Sequence, residues 1–372
     1  MFQPPLPVEY TRLDEEETAQ RIARARAAIG DDLLVLGHHY QRDQIIRWAD
    51  YRGDSFKLAR QAAERKDARY IVFCGVHFMA ESADILTDDD QIVILPNLSA
   101  GCSLADMAGI GQVEAAWQYI TTYVDARSVV PITYVNSAAN LKAFVGAHEG
   151  TCCTSSNARR ALRWALDRAD RLFFFPDQHL GRNTAVEMGL DPEREMLLWD
   201  PQAPNGGVTP DDIRRARVYL WKGHCSVHGR FTVQQIRDAR AAHPGLRVVV
   251  HPECTLDVVR EADLNGSTEF IIDAIARSEP GSVWAVGTEI NLVNRLQQEH
   301  PDKRVFCLDP VVCPCSTMYR IHPRYLAWVL DNLAEGRVVN RIRVRDDVKR
   351  LARRSLERML QISAPQPALS QS

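Results

Sequence analysis

Three of the nine cysteines in this 372-residue chain fall where a repeat would put them. Cys102 lies 47 positions after Ser55, and Cys315 lies 47 positions after Thr268. Ser55 follows His38 by 17 positions, and Thr268 follows His251 by the same 17. Two matched series, each running from a histidine through a hydroxyl residue to a cysteine, mark two copies of one unit. A third, less regular copy lies between them. Tyr134 and Asn136 end a β-branched run, Ser155 follows Tyr134 by 21 positions, and Cys225 follows Ser155 by 70. The surplus fits an insertion in the Pro/Gly-rich stretch near 191–211. Periods this long predict tandem α/β domains and not a solenoid.

If the three copies surround a pseudo-threefold axis, their closing loops converge. Three thiolates facing one site hold three irons of a [4Fe–4S] cluster and leave the fourth open to a substrate. A set of four would point to electron transfer or structural zinc. Scattered core cysteines are the plain alternative, but the register selects Cys102, Cys225 and Cys315 and passes over Cys74, Cys152, Cys153, Cys254 and Cys307. Cys313 rivals Cys315, with which it could form a regulatory disulfide; the 47-position register favours Cys315. Ser55, Ser155 and Thr268 each read as a helix N-cap. Converging N-caps concentrate N–H groups and helix dipoles into an anion site, which points to a small polyanionic substrate. His38 with Tyr40, Tyr134 with Asn136, and His251 with Glu253 stand at i and i+2, so each pair shares one face. An open iron beside two histidines, a tyrosine and a glutamate suits proton transfer and dehydration. His39, His77, His179 and His228 read as structural. No phosphate-binding glycine loop follows a strand, so no nucleotide cofactor is indicated.

The elements that must position these residues are short β-branched strands alternating with helices, the pattern of a parallel sheet. The first copy reads as strand 33–36, helices 43–50 and 55–66, strand 70–73, helix 79–86 and strand 91–95. Strands at 129–136, 171–175 and 217–221 continue the second copy, and those at 247–250, 283–286 and 304–308 the third. A Pro-rich arm (1–10) and a surface helix (11–29) precede them; a helix, a short strand (337–344), a last helix (348–362) and a disordered tail (363–372) follow. The expected domains are 1–126 joined by 326–372, then 127–225 with its insertion, then 226–325. Composition is that of a soluble globule, 45% hydrophobic and 25% charged. A net charge of −3 argues against a general nucleic-acid or membrane-surface binder. No apolar run reaches the roughly 18 residues of a membrane span. The acidic N-terminal stretch lacks an apolar signal core, so a cytoplasmic location is expected. The cysteines then point to metal or catalytic thiols before disulfides.

Nine motifs between residues 33 and 330 carry a specific resemblance: GHHYQRD at His38, GDSFKLA at Ser55, NLSAGCSLADM at Cys102, TYVNS at Asn136, CTSSNA at Ser155, KGHCSVH at Cys225, HPEC at His251, GST at Thr268 and CPCSTM at Cys315. The chain resembles the quinolinate synthase family, and its longer second domain and CPC pair resemble the Bacillus-type members. The resemblance implies three Rossmann-like αβα domains about a pseudo-threefold axis, with the active site at the central junction. It implies one oxygen-sensitive [4Fe–4S] cluster per chain on Cys102, Cys225 and Cys315. It implies condensation of iminoaspartate with dihydroxyacetone phosphate to quinolinate, phosphate and water in de novo NAD synthesis. His38, Ser55, Tyr134, Asn136, Ser155, His251, Glu253 and Thr268 match substrate-binding positions, and Tyr40 matches an acid–base tyrosine. His251 and Glu253 are expected to move protons with it. The expected upstream partner is L-aspartate oxidase, because iminoaspartate is labile. Two rival readings predict different observables: reductive or radical chemistry on a similar cluster needs an external reductant, and a zinc-stabilised metabolite-binding protein would hold zinc and no sulfide.

Overall fold

In the computed structural model, residues 3–364 are described; the expected disordered tail lies outside them from 365 on. Among the described residues, fourteen strands make three sheets. The first contains β1 (Leu33–His38), β2 (Tyr51–Gly53), β3 (Tyr70–Cys74) and β4 (Ile92–Ile94). The second contains β5 (Val129–Tyr134), β6 (Thr151–Cys153), β7 (Arg171–Phe175), β8 (Met196–Trp199) and β9 (Val218–Trp221). The third contains β10 (Arg247–Val250), β11 (Leu264–Asn265), β12 (Val283–Gly287) and β13 (Arg304–Cys307). β14 (Arg341–Ile342) returns to the first sheet.

The repeat seen in the spacing is a repeat of topology. The orders β2-β1-β3-β4, β6-β5-β7-β9 and β11-β10-β12-β13 are one order, with the first strand of each unit between its second and third. β8, which lies in the predicted insertion, adds an edge strand beside β9. These pairings are parallel; β14 alone among the described strands runs antiparallel, against β4. In such doubly wound sheets the chain leaves the first and third strands toward opposite faces, opening a crevice at their carboxyl ends. His38 and Tyr134 end the first strands of two units, and His251 follows that of the third.

Local chemistry explains the boundaries. The strand interiors are apolar on both faces, as at Leu34, Val35 and Leu36, which are fully buried between helical layers. The helix expected over 43–50 stops at Ile46. Asp50 is needed elsewhere: its carboxylate accepts the Val35 amide at 2.7 Å and its own amide donates to the Val35 carbonyl at 2.8 Å. Asp263 does the same for Val248, at 2.7 and 3.0 Å. Each aspartate is itself held by an arginine, Arg26 at 2.6 Å and Arg240 at 3.0 Å. The helix expected from residue 11 begins at Glu15, where Asp14 and Glu17 form a reciprocal capping box. Within the arm, Val8–Thr11 is a helical turn. The strand expected over 337–344 shrinks to Arg341–Ile342 because Asn340, at φ 52°, leaves extended geometry just before it. No described helix is long and apolar enough to cross a membrane.

The C-terminal segment staples two units. β14 places Ile342 beside Val93, and the Val344 amide donates to Asp84 at 2.9 Å. The helix Asp346–Ser363 then lies across the helix Ala139–Ala147 of the second unit, where the Ser355 hydroxyl donates to the Lys142 carbonyl at 2.8 Å. Gly146 permits this approach, since a Cβ there would meet the Leu351 carbonyl oxygen at 2.0 Å. Gly146→Ala therefore forces the helices apart and costs about 1–3 kcal/mol of stability, measured by urea unfolding; an unchanged midpoint would mean that the contact is not tight.

Candidate active site

One turn is used twice. The His38 Nδ1 accepts the Tyr40 amide at 3.1 Å, and the His251 Nδ1 accepts the Glu253 amide at 3.3 Å. An Nδ1 that accepts leaves the proton on Nε2. Burial, with His39 next, pushes the His38 pKa down to about 3. Burial, with His228 next, does the same to His251, also to about 3. Both rings are thus neutral N–H donors at neutral pH. In the second unit Tyr134 and Asn136 occupy the corresponding strand end, and the Asn136 Oδ1 is buried with no partner among the described residues.

These three strand ends open on one cavity, lined also by Ser55, Ser155 and Thr268 and by Cys102, Cys225 and Cys315. Every residue expected for the site from the sequence thus lines one space. The N-cap assignments shift, however. Asp54 caps the helix Ser55–Glu64 by accepting the Lys57 amide at 2.9 Å, and Ser267 caps Thr268–Ala276 by accepting the Phe270 amide at 3.3 Å. Ser155 lies in the turn before the helix Ala158–Leu166, where the Asn157 side chain accepts the Thr154 amide at 2.7 Å. A hydroxyl one position past a cap is free of capping, so Ser55 and Thr268 line the cavity at the first turn of their helices.

Glu253 sits at the centre. Its Oε1 accepts the Tyr134 hydroxyl at 2.5 Å, and its Oε2 lies 2.8 Å from His228 Nδ1. Burial alone would raise its pKa, but His228 and His251 and the bonds from His228 and Tyr134 hold it below the usual carboxylate range. Burial, then the Glu253 charge, pushes both Tyr40 and Tyr134 well above 10, so both phenols stay protonated. His228 stacks on His251 with centroids 4.3 Å apart and planes at 17°. His228, structural by sequence, lines the cavity and grips Glu253. The available signal was its place three residues after a repeat cysteine. Thr288, one residue past β12, bonds both His228 and Tyr40 and had no signal beyond its strand end. His39 pairs with Glu269 at 3.0 Å, while His77 and His179 do not line this cavity.

The cysteine loops are a third repeated feature. A 3₁₀ turn starts three residues after each: Ala105–Met107, His228–Arg230 and Met318–Arg320. Each cysteine carbonyl accepts the amide four residues on, from Asp106, Gly229 and Tyr319 at 3.1, 2.9 and 2.9 Å. The turn aims the Leu104 and Ala105 amides at the Cys102 sulfur, and those of Val227 and His228 at Cys225. Burial pushes the Cys102 thiol up to about 12 and Cys225 well above 9, so metal binding must displace protons. Cys313 is exposed, whereas Cys315 is half-buried and its amide donates to Glu289 at 3.2 Å. Three converging thiols, two with amides facing the sulfur, are compatible with an iron–sulfur cluster. Cys225, His228 and Glu253 also approach one another closely enough to share an ion, but His228 and Glu253 already satisfy each other.

A family model described as "NadA: Quinolinate synthetase A protein" matches residues 20–361. Quinolinate synthase of Corynebacterium glutamicum is 54% identical over 99% of this chain and 93% of its own length. Quinolinate synthases of Anoxybacillus flavithermus and Geobacillus kaustophilus are 53% and 51% identical, over 95% and 96% of this chain and 96% and 97% of theirs.

The neutral histidines have a consequence for the metal-free protein. Unfolded, His38 and His251 titrate near 6.5; folded, near 3. The unfolded chain binds more protons between those values, so their contribution is fully present above about pH 6.5 and is lost on acidification toward pH 3. The unfolding temperature falls from pH 7 to pH 5, and His38→Asn flattens the slope; a wild-type temperature independent of pH would contradict the assignment.

Proposed function

This chain belongs to the quinolinate synthase family, and we propose that its central cavity condenses iminoaspartate with dihydroxyacetone phosphate, using one [4Fe–4S] cluster on Cys102, Cys225 and Cys315. It is an enzyme that makes quinolinate for NAD biosynthesis. The observation that carries the site assignment is that one cavity gathers from each of three sheets a cysteine loop, a helix start and a strand-end pair.

The division of labour follows from the chemistry of the side chains. The first helical turns at Ser55 and Thr268, and the turn at Ser155 ahead of the helix Ala158–Leu166, offer hydroxyls and helix N-termini to the phosphate and, after it leaves, to the carboxylates. The Nε2–H groups of His38 and His251 orient carboxylate or carbonyl oxygens, and the unpartnered Asn136 Oδ1 accepts from the amine or a hydroxyl. Carbon–carbon bond formation and loss of phosphate come early. Isomerisation follows: Glu253 is the ionised base that removes a carbon-bound proton, and Tyr40 the protonated acid that returns one. Ring closure joins amine and carbonyl. When bound, a cluster with three protein thiolates supplies an open iron as a Lewis acid toward a hydroxyl leaving as water. The overall reaction has no net redox change, which separates it from the reductive alternatives. Because iminoaspartate is labile, functional coupling to L-aspartate oxidase is part of this proposal.

Glu253→Gln keeps a hydrogen-bonding side chain but cannot take a proton. Anaerobically purified Glu253→Gln should keep the cluster absorbance and lose about 100-fold or more of quinolinate formation. Turnover close to that of the unmodified enzyme would make Glu253 a structural carboxylate.

A further inference from the structure

We propose that Glu289 is the latch that positions Cys315, holding the third proposed cluster ligand at the cavity by its backbone and leaving Cys313 outside. The inference rests on the cluster reading above and adds a positioning residue to it. Glu289 is fully buried, two residues past the end of β12. Its Oε1 accepts the Cys315 amide at 3.2 Å and the Asn291 side-chain amide at 2.9 Å. Its Oε2 accepts the Asn291 backbone amide at 2.8 Å, which caps the helix Ile290–Glu299.

The three units show why a side chain is needed at this place. In each, a helix starts just past the third strand: His77–Leu86, Gln178–Glu187 and Ile290–Glu299. In the first two, the first amide of that helix donates to the carbonyl two residues before the repeat cysteine. His77 donates to Ala100 at 2.8 Å, ahead of Cys102, and Gln178 to Gly223 at 2.9 Å, ahead of Cys225. The matching bond in the third unit would run from Ile290 to Cys313, and among the described residues it is absent. The residue just before the helix changes in step. Val76 makes no side-chain cap. Asp177 accepts the His179 and Leu180 amides at 2.8 and 2.7 Å, and the Cys225 amide faces its carboxylate. Glu289, one methylene longer, caps its helix and reaches Cys315 where no backbone bond ties the loop.

The rest of the loop cannot do this work. Upstream it is pinned where Arg230 grips Asp309 at 2.9 Å. Downstream, Gln41 donates to the Met318 carbonyl at 3.1 Å and Arg42 to the Tyr319 carbonyl at 2.5 Å. Between these anchors Val311, Val312 and Cys313 are exposed, and among the described residues Val312, Cys313 and Pro314 make no hydrogen bond. Pro314 has no amide to give, so the Cys315 amide is the first donor after Cys313. A buried acceptor that meets it there draws the chain inward one residue past the proline. Cys315 lines the cavity and Cys313 does not.

The test is alkylation of the reduced, metal-free protein by iodoacetamide, read for each cysteine by peptide mass spectrometry, in Glu289→Asp and Glu289→Gln. Aspartate still caps the helix but is too short to reach Cys315. Glutamine keeps the reach: Cys315 and the Asn291 side chain both meet Oε1, so its one oxygen belongs there and the helix cap is what weakens. In the unmodified protein Cys315 should react more slowly than Cys313. Glu289→Asp should speed Cys315 about tenfold and leave Cys102, Cys225 and Cys313 unchanged, whereas Glu289→Gln should keep Cys315 protected. After anaerobic loading, Glu289→Asp should give up iron to a chelator about tenfold faster than the unmodified protein, and Glu289→Gln should not. A capping role alone predicts the opposite order. Equal Cys315 rates in the two variants, or a faster rate in Glu289→Gln, overturn the latch. If Glu289→Asp fails to fold, Cys315 reacting as fast as Cys313 in the unmodified protein overturns it. Unmodified protein that takes up no iron and sulfide is a different result: it overturns the cluster reading, and the positioning of a ligand with it.

Discussion

The geometry of the cavity depends on one buried guanidinium. Arg295, 5% exposed on the helix Ile290–Glu299 of the third unit, reaches into the loop after β1. Its Nε donates to Asp43 at 2.8 Å, and its two terminal nitrogens donate to the carbonyls of His39 and Gln41 at 2.9 and 2.6 Å. A buried cation is tolerated only when its donors are met, so the loop is fixed to the third unit through its backbone. Tyr40 lies between the two carbonyls that Arg295 grips, and it is thereby brought to Thr268 and Thr288, on the third unit. The other junctions use the same economy. Asn183 of the second unit donates to the carbonyls of Pro252 and Cys254, both at 2.8 Å, on either side of Glu253. Asp54, which caps the helix at Ser55, also accepts the Ser156 hydroxyl from the second unit. Each seam between units is closed by a polar contact to a residue adjoining the cavity.

Among the described residues that line the cavity there is no lysine or arginine. An anion entering it, as proposed, would meet helix N-termini, hydroxyls and neutral imidazoles. In the proposed reaction such donors would bind phosphate without the strong fixed charge that would oppose its release. The same low charge keeps the central pair tightly defined. Glu253 stays ionised against its burial because His228, His251 and Tyr134 surround it, and that ionised carboxylate is in turn the reason, after burial, that the two tyrosines hold their protons. The proposed acid and the proposed base are set by one network.

The parts of this arrangement that repeat were legible in the chain. Matched spacings located the cysteine loops because each ends in the same 3₁₀ turn, and the i, i+2 pairs located the strand ends because both histidines close the same turn. What escaped was work done by neighbours. A Ser or Thr opening a helix looks like a cap, yet Asp54 and Ser267 take that task one residue earlier. Asp50 looked helical because its partner is the edge of β1, 15 residues away in sequence. His228 and Thr288 stand on different elements and meet side chain to side chain, with Glu253 on the far side of one and Tyr40 on the far side of the other, a relation with no period to betray it.

The proposed chemistry requires that the three repeat cysteines together hold iron and sulfide. Iron and acid-labile sulfide per chain, measured on anaerobically purified protein and on Cys102→Ala, Cys225→Ala, Cys315→Ala and Cys313→Ala, test this directly. The prediction is about four of each per chain, collapse in the first three variants, and retention in Cys313→Ala. Zinc or no metal after anaerobic reconstitution, or a loss in Cys313→Ala equal to that in Cys315→Ala, would contradict it.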